Sequence, residues 1–161
     1  MFGQDEIIVS KTDRAGKITY ANDVFVSISG YTEAELLGAP HSILRHPDMP
    51  RTVFHFLWET IEAGNEIFAY VKNMSKSGDH YWVFAHVTPS FDADGAISGY
   101  YSMRRTPDRR ALPTIEALYA ELREIEARRA SPREQISAGR AALSKKLEEL
   151  GVPYDELMFS L

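Results

Sequence analysis

The sequence contains no cysteine among its 161 residues. Disulfide bonds, thiolate metal ligands, nucleophilic thiols and thiol-based redox sensing are therefore excluded for this chain. The absence of cysteine is compatible with a reducing cytoplasm, and that is the compartment we expect.

Other features are missing as well. No apolar run is long enough to cross a bilayer, and the N-terminus carries no basic-then-apolar signal segment. No basic patch or nucleic-acid motif stands out, and the net charge is −5 with a pI near 5.5. These absences predict a soluble chain, or the soluble part of a larger one, with no direct membrane insertion and no nucleic-acid partner. The composition, 44% hydrophobic and 25% charged, is typical of a globular domain with a real core.

The pattern up to residue 106 predicts, in order, a hairpin, two short capped helices, a longer helix and three further strands. The predicted ranges are 7–12, 18–21, 22–30, 32–38, 51–63, 67–74, 80–88 and 97–104. Turn residues containing glycine separate the strands, which favours antiparallel connections. We therefore expect an α+β fold in which one antiparallel sheet carries short helices on one face.

The composition changes beyond residue 107. Apolar residues from Ile115 to Ile125 step by three and four, which is the amphipathic helical spacing. Ser131, followed by a proline and by Glu134, predicts the start of a second helix. An α-hairpin and an apolar tail are thus expected, and its apolar stripes could cover each other, the sheet or a second copy. We predict an α+β domain at 1–106 and a helical hairpin with its tail at 107–161.

Residues 40–50, PHSILRHPDMP, concentrate unusual side chains in a short segment. Proline fixes its own φ angle and restricts the residue before it, so this segment is expected to be stiff and mostly irregular. Stiff polar loops commonly carry binding groups. A capped turn between two helices is the plainer interpretation of the same residues.

Four blocks of sequence carry a resemblance to a known family: ITYANDVFVSISGYTEAELLG, PHSILRHPDMP, VKNMSKSGDHYWV and ISGYYSMR. Together they make the region 7–104 resemble a PAS sensor domain and, more specifically, the FAD-binding PAS domain of bacterial aerotaxis receptors. The RHPDMP and GDHYWV blocks are the more specific ones. The resemblance implies a five-stranded antiparallel sheet cupped around a pocket, and it does not extend to the C-terminal helices.

The resemblance also implies FAD as the cofactor. It implies that Arg45, His46 and Asp48 lie at the flavin-binding helix and loop, and that Asn22 lies at a position tied to cofactor binding. One residue departs from the aerotaxis pattern, because Phe68 stands where those receptors have tryptophan. Phenylalanine can stack on a ring but cannot donate a hydrogen bond, so cofactor affinity or tuning could differ.

The residue types themselves also bear on the choice of cofactor. An isoalloxazine ring needs an apolar slot, aromatic neighbours and a few donors and acceptors. The candidate walls are Phe25, Phe54, Trp58, Phe68 and Trp82. Arg45 offers fixed donors, and Asn22 and Asn73 could satisfy the pyrimidine edge.

Each candidate also has a structural interpretation. Asn22 could be a helix cap, Trp58 and Trp82 could be plain core, and Asn73 could end a strand. Arg45 and Asp48 could simply pair with each other in a structural network. These alternatives stay open from the sequence alone.

The function that follows is a flavin-binding redox or oxygen sensor that relays its state to a signalling protein or to a receptor or kinase module. Flavin photochemistry through a cysteinyl adduct is excluded, since there is no cysteine. No nucleophile or metal-ligand spacing accompanies the histidines, so we expect neither an enzyme nor a metal site. A homodimer through N- or C-terminal helices is expected.

Two alternatives remain. A haem-binding PAS oxygen sensor would use His55, on the predicted long helix, as its axial ligand. A cofactor-free PAS module would instead fill its pocket with side chains and act through dimerisation or partner docking by the helical hairpin.

Overall fold

A computed structural model of the protein describes residues 3–161. Its strands are β1 (Ile8–Asp13), β2 (Ile18–Ala21), β3 (Ile67–Met74), β4 (His80–Phe91) and β5 (Ile97–Arg105). Its helices are α1 (Asp23–Ser29), α2 (Glu33–Leu36), α3 (Arg51–Glu62), α4 (Leu112–Ala127), α5 (Pro132–Leu150) and α6 (Tyr154–Ser160), with a 3₁₀ turn at His41–Leu44. The predicted order of elements is confirmed.

The five strands form one antiparallel sheet in the order β2-β1-β5-β4-β3. The first and last strands of the chain therefore meet at the centre, and β2 and β3 form the edges. This is the predicted α+β architecture with a C-terminal α-hairpin. Strand β4 continues to Phe91, beyond the predicted end at residue 88, because its pairing with β5 continues through Pro89.

The described residues group into two compact units. One unit runs up to His46 and from Thr60 to Pro107, so it holds the sheet, α1, α2 and the 3₁₀ turn. The other joins Pro47–Glu59 to Asp108–Leu161. Helix α3 begins in the second unit and ends in the first. The linear division at residue 106 remains a prediction.

The second unit is helical. Helices α4 and α5 form the hairpin, and each buries apolar residues; Ile115, Leu122 and Leu143 are almost fully buried. Ser131 caps α5 with a capping box, as predicted. The tail forms a helix, α6, which buries Tyr154 and Met158.

Candidate functional site

The two faces of the sheet differ in chemistry. Paired residues of an antiparallel sheet lie on the same face, and alternate residues of one strand lie on opposite faces. Asn73 pairs with Tyr81, and Ala85 pairs with Arg104, so these side chains share one face. Arg104 lies against Phe25 of α1, which identifies this as the helix-bearing face.

Arg104 is the centre of a polar cluster on that face, with only 3% of its surface exposed. Its Nη1 lies 2.7 Å from His41 Nε2, and its Nη2 donates to Ser10 Oγ at 2.9 Å. The guanidinium carbon stands 4.6 Å from the centroid of the Phe25 ring, within range of a cation–π contact. A strand, a 3₁₀ turn and a helix thus converge on one cation.

The electrostatics of this cluster follow from burial. Burial lowers the pKa of Arg104 to about 10, so the guanidinium stays charged at neutral pH. Burial and the Arg104 charge lower the pKa of His41 to about 3. His41 is therefore neutral, and its Nε2 accepts the hydrogen bond from Arg104.

The Nε atom of Arg104 is buried and has no hydrogen-bond partner. No carboxylate of residues 3–161 pairs with the guanidinium, whose neighbours are His41, Ser10 and Phe25. A buried cation without a counter-charge and with an unused donor is costly, unless a ligand supplies an acceptor. This donor set therefore suits a ligand with carbonyl or anionic oxygen or nitrogen acceptors.

Two further polar side chains lie on the same face. Tyr81 and Asn73 are each 5% exposed and form a side-chain hydrogen bond. Burial raises the pKa of Tyr81 to about 12, although the Arg104 charge and the bond with Asn73 oppose this shift. The tyrosine is thus a neutral phenol that can donate to a ligand acceptor.

The segment 40–50 reaches the sheet through its backbone. Arg45 forms an isolated antiparallel bridge with Asn73, and Leu44 is buried beside it in the chain. The His46 and His80 rings lie edge to face, 6.2 Å apart. The first half of this segment is thereby tied to β3 and to the start of β4.

Two of the predicted aromatic walls, Phe68 and Trp82, lie on the same face of the sheet. Phe68 pairs with His86, and Trp82 pairs with Lys72, so both lie on the face opposite to Asn73. The Phe68 ring stacks on the His86 ring at 4.2 Å. Strand alternation therefore places both side chains on the face away from Arg104 and α1.

Asn22 caps helix α1. Its Oδ1 accepts from the backbone N–H groups of Phe25 and Val9, both at 3.1 Å, and its Nδ2 donates to the Ile7 carbonyl at 2.9 Å. The side chain therefore joins α1 to β1. This is the helix-cap interpretation that the sequence left open.

Asp48 and Trp58 belong to the second unit. The carbonyl of Asp48 accepts a 2.6 Å hydrogen bond from Arg123 Nη1 of α4. His55 is exposed on α3, with its Nδ1 3.2 Å from Arg140 and 3.7 Å from Glu59. A surface histidine engaged in this way gives no support to an axial haem ligand.

Sequence reasoning did not select Ser10, His41, Tyr81 or Arg104 as site residues. The strand alternation could have found Arg104, because it follows Tyr100 and Ser102 at alternate positions of β5. A charged residue at an inward position is rare and signals either a partner or a ligand. Residues 3–161 hold no group of three histidine, aspartate or glutamate side chains able to bind a metal ion. None of their helices is long and apolar enough to span a membrane.

The sequence is similar to a known family and to known proteins. The sequence model of the PAS-fold family matches residues 18–104, which are more than half of the chain. The chain belongs to the PAS-fold family. The aerotaxis receptor of Escherichia coli (strain K12) is 45% identical to this PAS chain over 118 residues, covering 73% of the chain and 23% of the receptor.

A second relative is the nitrogen fixation regulatory protein of Klebsiella pneumoniae, 30% identical over 105 residues. The match covers 65% of this PAS chain and 21% of that protein. The chain thus spans less than a quarter of the length of either relative.

Solved structures show the same fold. A light-oxygen-voltage domain studied with a flavin analogue matches with a TM-score of 0.60 and 20% identity, covering 71% of this chain and 87% of that one. An RNA-binding light-oxygen-voltage receptor also gives a TM-score of 0.60, with 19% identity, over 72% of this chain and 33% of its own.

Proposed function

We propose that this PAS domain binds FAD and senses redox state or oxygen, relaying the state of the cofactor to a signalling partner. The observation that carries the proposal is the buried, unpaired Arg104 on the helix-bearing face of the sheet. The similarity to the aerotaxis receptor supports the same function, since it extends over most of this chain.

The residues of the face fit a flavin. Arg104 would donate from Nε to an acceptor that carries negative charge, while neutral His41 and Ser10 hold the guanidinium in place. Asn73 and Tyr81 would supply the amide and phenol groups for a carbonyl or ring nitrogen. Bound FAD would supply reversible electron transfer, which changes the charge next to these groups.

Four of the predicted loop and cap residues keep a proposed part in binding. Arg45 lies beside Asn73 through its backbone bridge, and His46 follows it, so both are proposed to close over the cofactor. Asn22 would act through the position of α1 and β1. Asp48 would act through the loop conformation.

Trp58 remains a proposed aromatic neighbour, whereas Phe68 and Trp82 are assigned no direct contact because of the face on which they lie.

The output is proposed to be non-catalytic. Reduction would alter the hydrogen bonds that Arg104 and Asn73 make, and the sheet would pass this change to residues 106–130 by a two-state coupling. A receptor or kinase module in the cytoplasm would receive the signal. A homodimer of this chain would be the unit that presents it.

The absorption spectrum of the protein as purified, followed by mass identification of the released cofactor, tests the proposal. A flavin spectrum with the mass of FAD is the expected result. A Soret band would replace the proposal with a haem sensor, and a colourless protein that takes up no FAD on incubation would overturn it in favour of a cofactor-free module. Full FAD occupancy in an Arg45→Ala protein would remove that residue from the site.

A further inference from the structure

Helix α3 begins in an unusual way. Pro50 immediately precedes its first residue, Arg51, and proline has no side-chain acceptor with which to cap a helix. The N–H groups of the first turn have no partner within a helix and need one when they are buried. Thr52, in this first turn, is fully buried.

The missing cap is supplied by a residue far along the chain. Glu126 of α4 accepts from the Arg51 N–H at 2.9 Å, from the Thr52 N–H at 3.4 Å and from the Thr52 hydroxyl at 3.0 Å. We call this arrangement the Glu126 cap. The residue Glu126 is only 7% exposed.

The position of Glu126 is electrostatically unfavourable for α4 alone. It lies one residue before the C-terminal end of α4, where the partial negative charge of the helix disfavours a carboxylate. At the N-terminus of α3 the same carboxylate meets partial positive charge and three donors. Within the second unit, the contacts with the N-terminus of α3 therefore account for the burial of this carboxylate.

Two further residues lie close to the Glu126 cap or to the stretch before it. A methyl group at Gly139 of α5 would overlap with the Thr52 hydroxyl, so α5 lies directly against the cap. Arg123, one turn before Glu126, donates to the carbonyl of Asp48 at 2.6 Å. Helix α4 therefore holds the stretch from Asp48 to Thr52 at both ends.

We propose that the Glu126 cap links the C-terminal hairpin of α4 and α5 to the segment 40–50, to which the proposed function assigns ligand binding. The stretch from Asp48 to Thr52 follows shortly after Arg45 and His46 in the chain. A change in the conformation of that segment alters the fit of the cap, and loss of the cap loosens the segment. This relay rests on the proposed function for its ligand, but the cap itself does not.

Amide hydrogen exchange measured by NMR on the full chain tests the cap without any ligand. In Glu126→Gln, the Arg51 and Thr52 amides are expected to exchange roughly ten-fold faster or more, because a charged acceptor is lost and the new NH₂ group faces at least one of the former donors. The matched control is Glu124→Gln, an equal charge change at an exposed position of the same helix turn. The control is expected to exchange like the wild type.

Unchanged exchange at Arg51 and Thr52 in Glu126→Gln would overturn the cap, and so would an equal acceleration at sheet amides such as Val83. If Glu126→Gln does not fold, Thr52→Val tests the cap instead, since it removes only the hydroxyl that donates to Glu126. Faster exchange at Arg51 is then expected, and wild-type exchange there would contradict the proposal.

A second arm uses FAD as the probe. FAD is expected to slow exchange at Arg51 and Thr52 in the wild type, and by a smaller factor in Glu126→Gln. A wild-type protein that takes up no FAD would contradict the proposed function while leaving the ligand-free result to decide the cap. FAD uptake with no response at these two amides would overturn the link between the cap and the ligand.

Discussion

Arg104 and His41 share one hydrogen bond of 2.7 Å, and this bond determines which of the two side chains carries charge. A guanidinium can only donate, so His41 Nε2 must accept and the ring must be neutral. Of this pair, Arg104 therefore carries the positive charge. Because Arg104 is buried and no carboxylate within residues 3–161 pairs with it, that charge is available to a ligand.

The neutral state of His41 predicts a pH dependence of stability. Its pKa is about 3 in the folded protein and near 6.5 in the unfolded chain, so the unfolded chain binds the extra proton between these values. The stability that His41 contributes is thus complete above pH 6.5 and is lost progressively as the pH falls toward 3. The free energy of unfolding is expected to fall by about 1–2 kcal/mol from this residue between pH 7 and pH 5.

Urea unfolding at the two pH values measures this contribution. The variant His41→Gln, whose amide can still accept from Arg104, should show a smaller fall than the wild type. His55→Gln, at a side chain that is 44% exposed, is the control. An equal fall in wild type and His41→Gln would contradict the assignment of a neutral buried ring.

Arg104 is predicted to strengthen ligand binding and to lower the stability of the ligand-free protein. In Arg104→Met, the affinity for FAD should fall about ten-fold or more, because a charged hydrogen bond contributes about 1.5–3 kcal/mol. The ligand-free variant should be as stable as the wild type or more stable, since a buried unpaired charge is gone. Flavin titration and thermal unfolding without flavin give the two values.

Arg105→Gln is the matched control, because Arg105 is exposed and alternates to the opposite face of β5. Its affinity and stability should stay close to those of the wild type. A destabilised Arg104→Met protein with unchanged FAD affinity would show that Arg104 is structural and that the ligand binds elsewhere.

The order of elements could be predicted from the sequence because its signals are local. Alternating apolar residues marked the strands, and caps such as Thr32 and Ser131 marked helix starts; both capping boxes are present. The helical tail α6 was expected only as an apolar segment, because it is short and has no side-chain cap.

The site was less predictable because its chemistry depends on pairing. The inward position of Arg104 followed from strand alternation, but its contact with His41 joins residues 63 apart. The contact between Glu126 and Thr52 joins residues 74 apart, and no local pattern indicates it. Asn22 could be interpreted as a cap or a ligand from its position alone, and only the structure assigns all its hydrogen bonds to the backbone.

The two faces of the sheet give a direct comparison between Asn73 and Trp82. Asn73→Ala should weaken FAD binding about ten-fold, because a buried acceptor or donor of the ligand would lose its partner. Trp82→Phe should leave the affinity within a factor of two to three, since the ring lies on the opposite face, across from Lys72. Flavin fluorescence titration measures both, and the reverse ranking would mean that the ligand binds on the Trp82 face.

Asn22 is predicted to act through stability more than through direct contact. Asn22→Ala removes the α1 cap and the link to β1, so it should lower the free energy of unfolding by about 1–2 kcal/mol. Asn22→Asp keeps the acceptor for Phe25 and Val9 but loses the donor to Ile7, and should be less destabilised than the alanine variant. Denaturant unfolding gives this order. FAD affinity, measured at a temperature where both variants are folded, should change less than in Asn73→Ala; a larger loss at Asn22 than at Asn73 would mean that its amide contacts the cofactor.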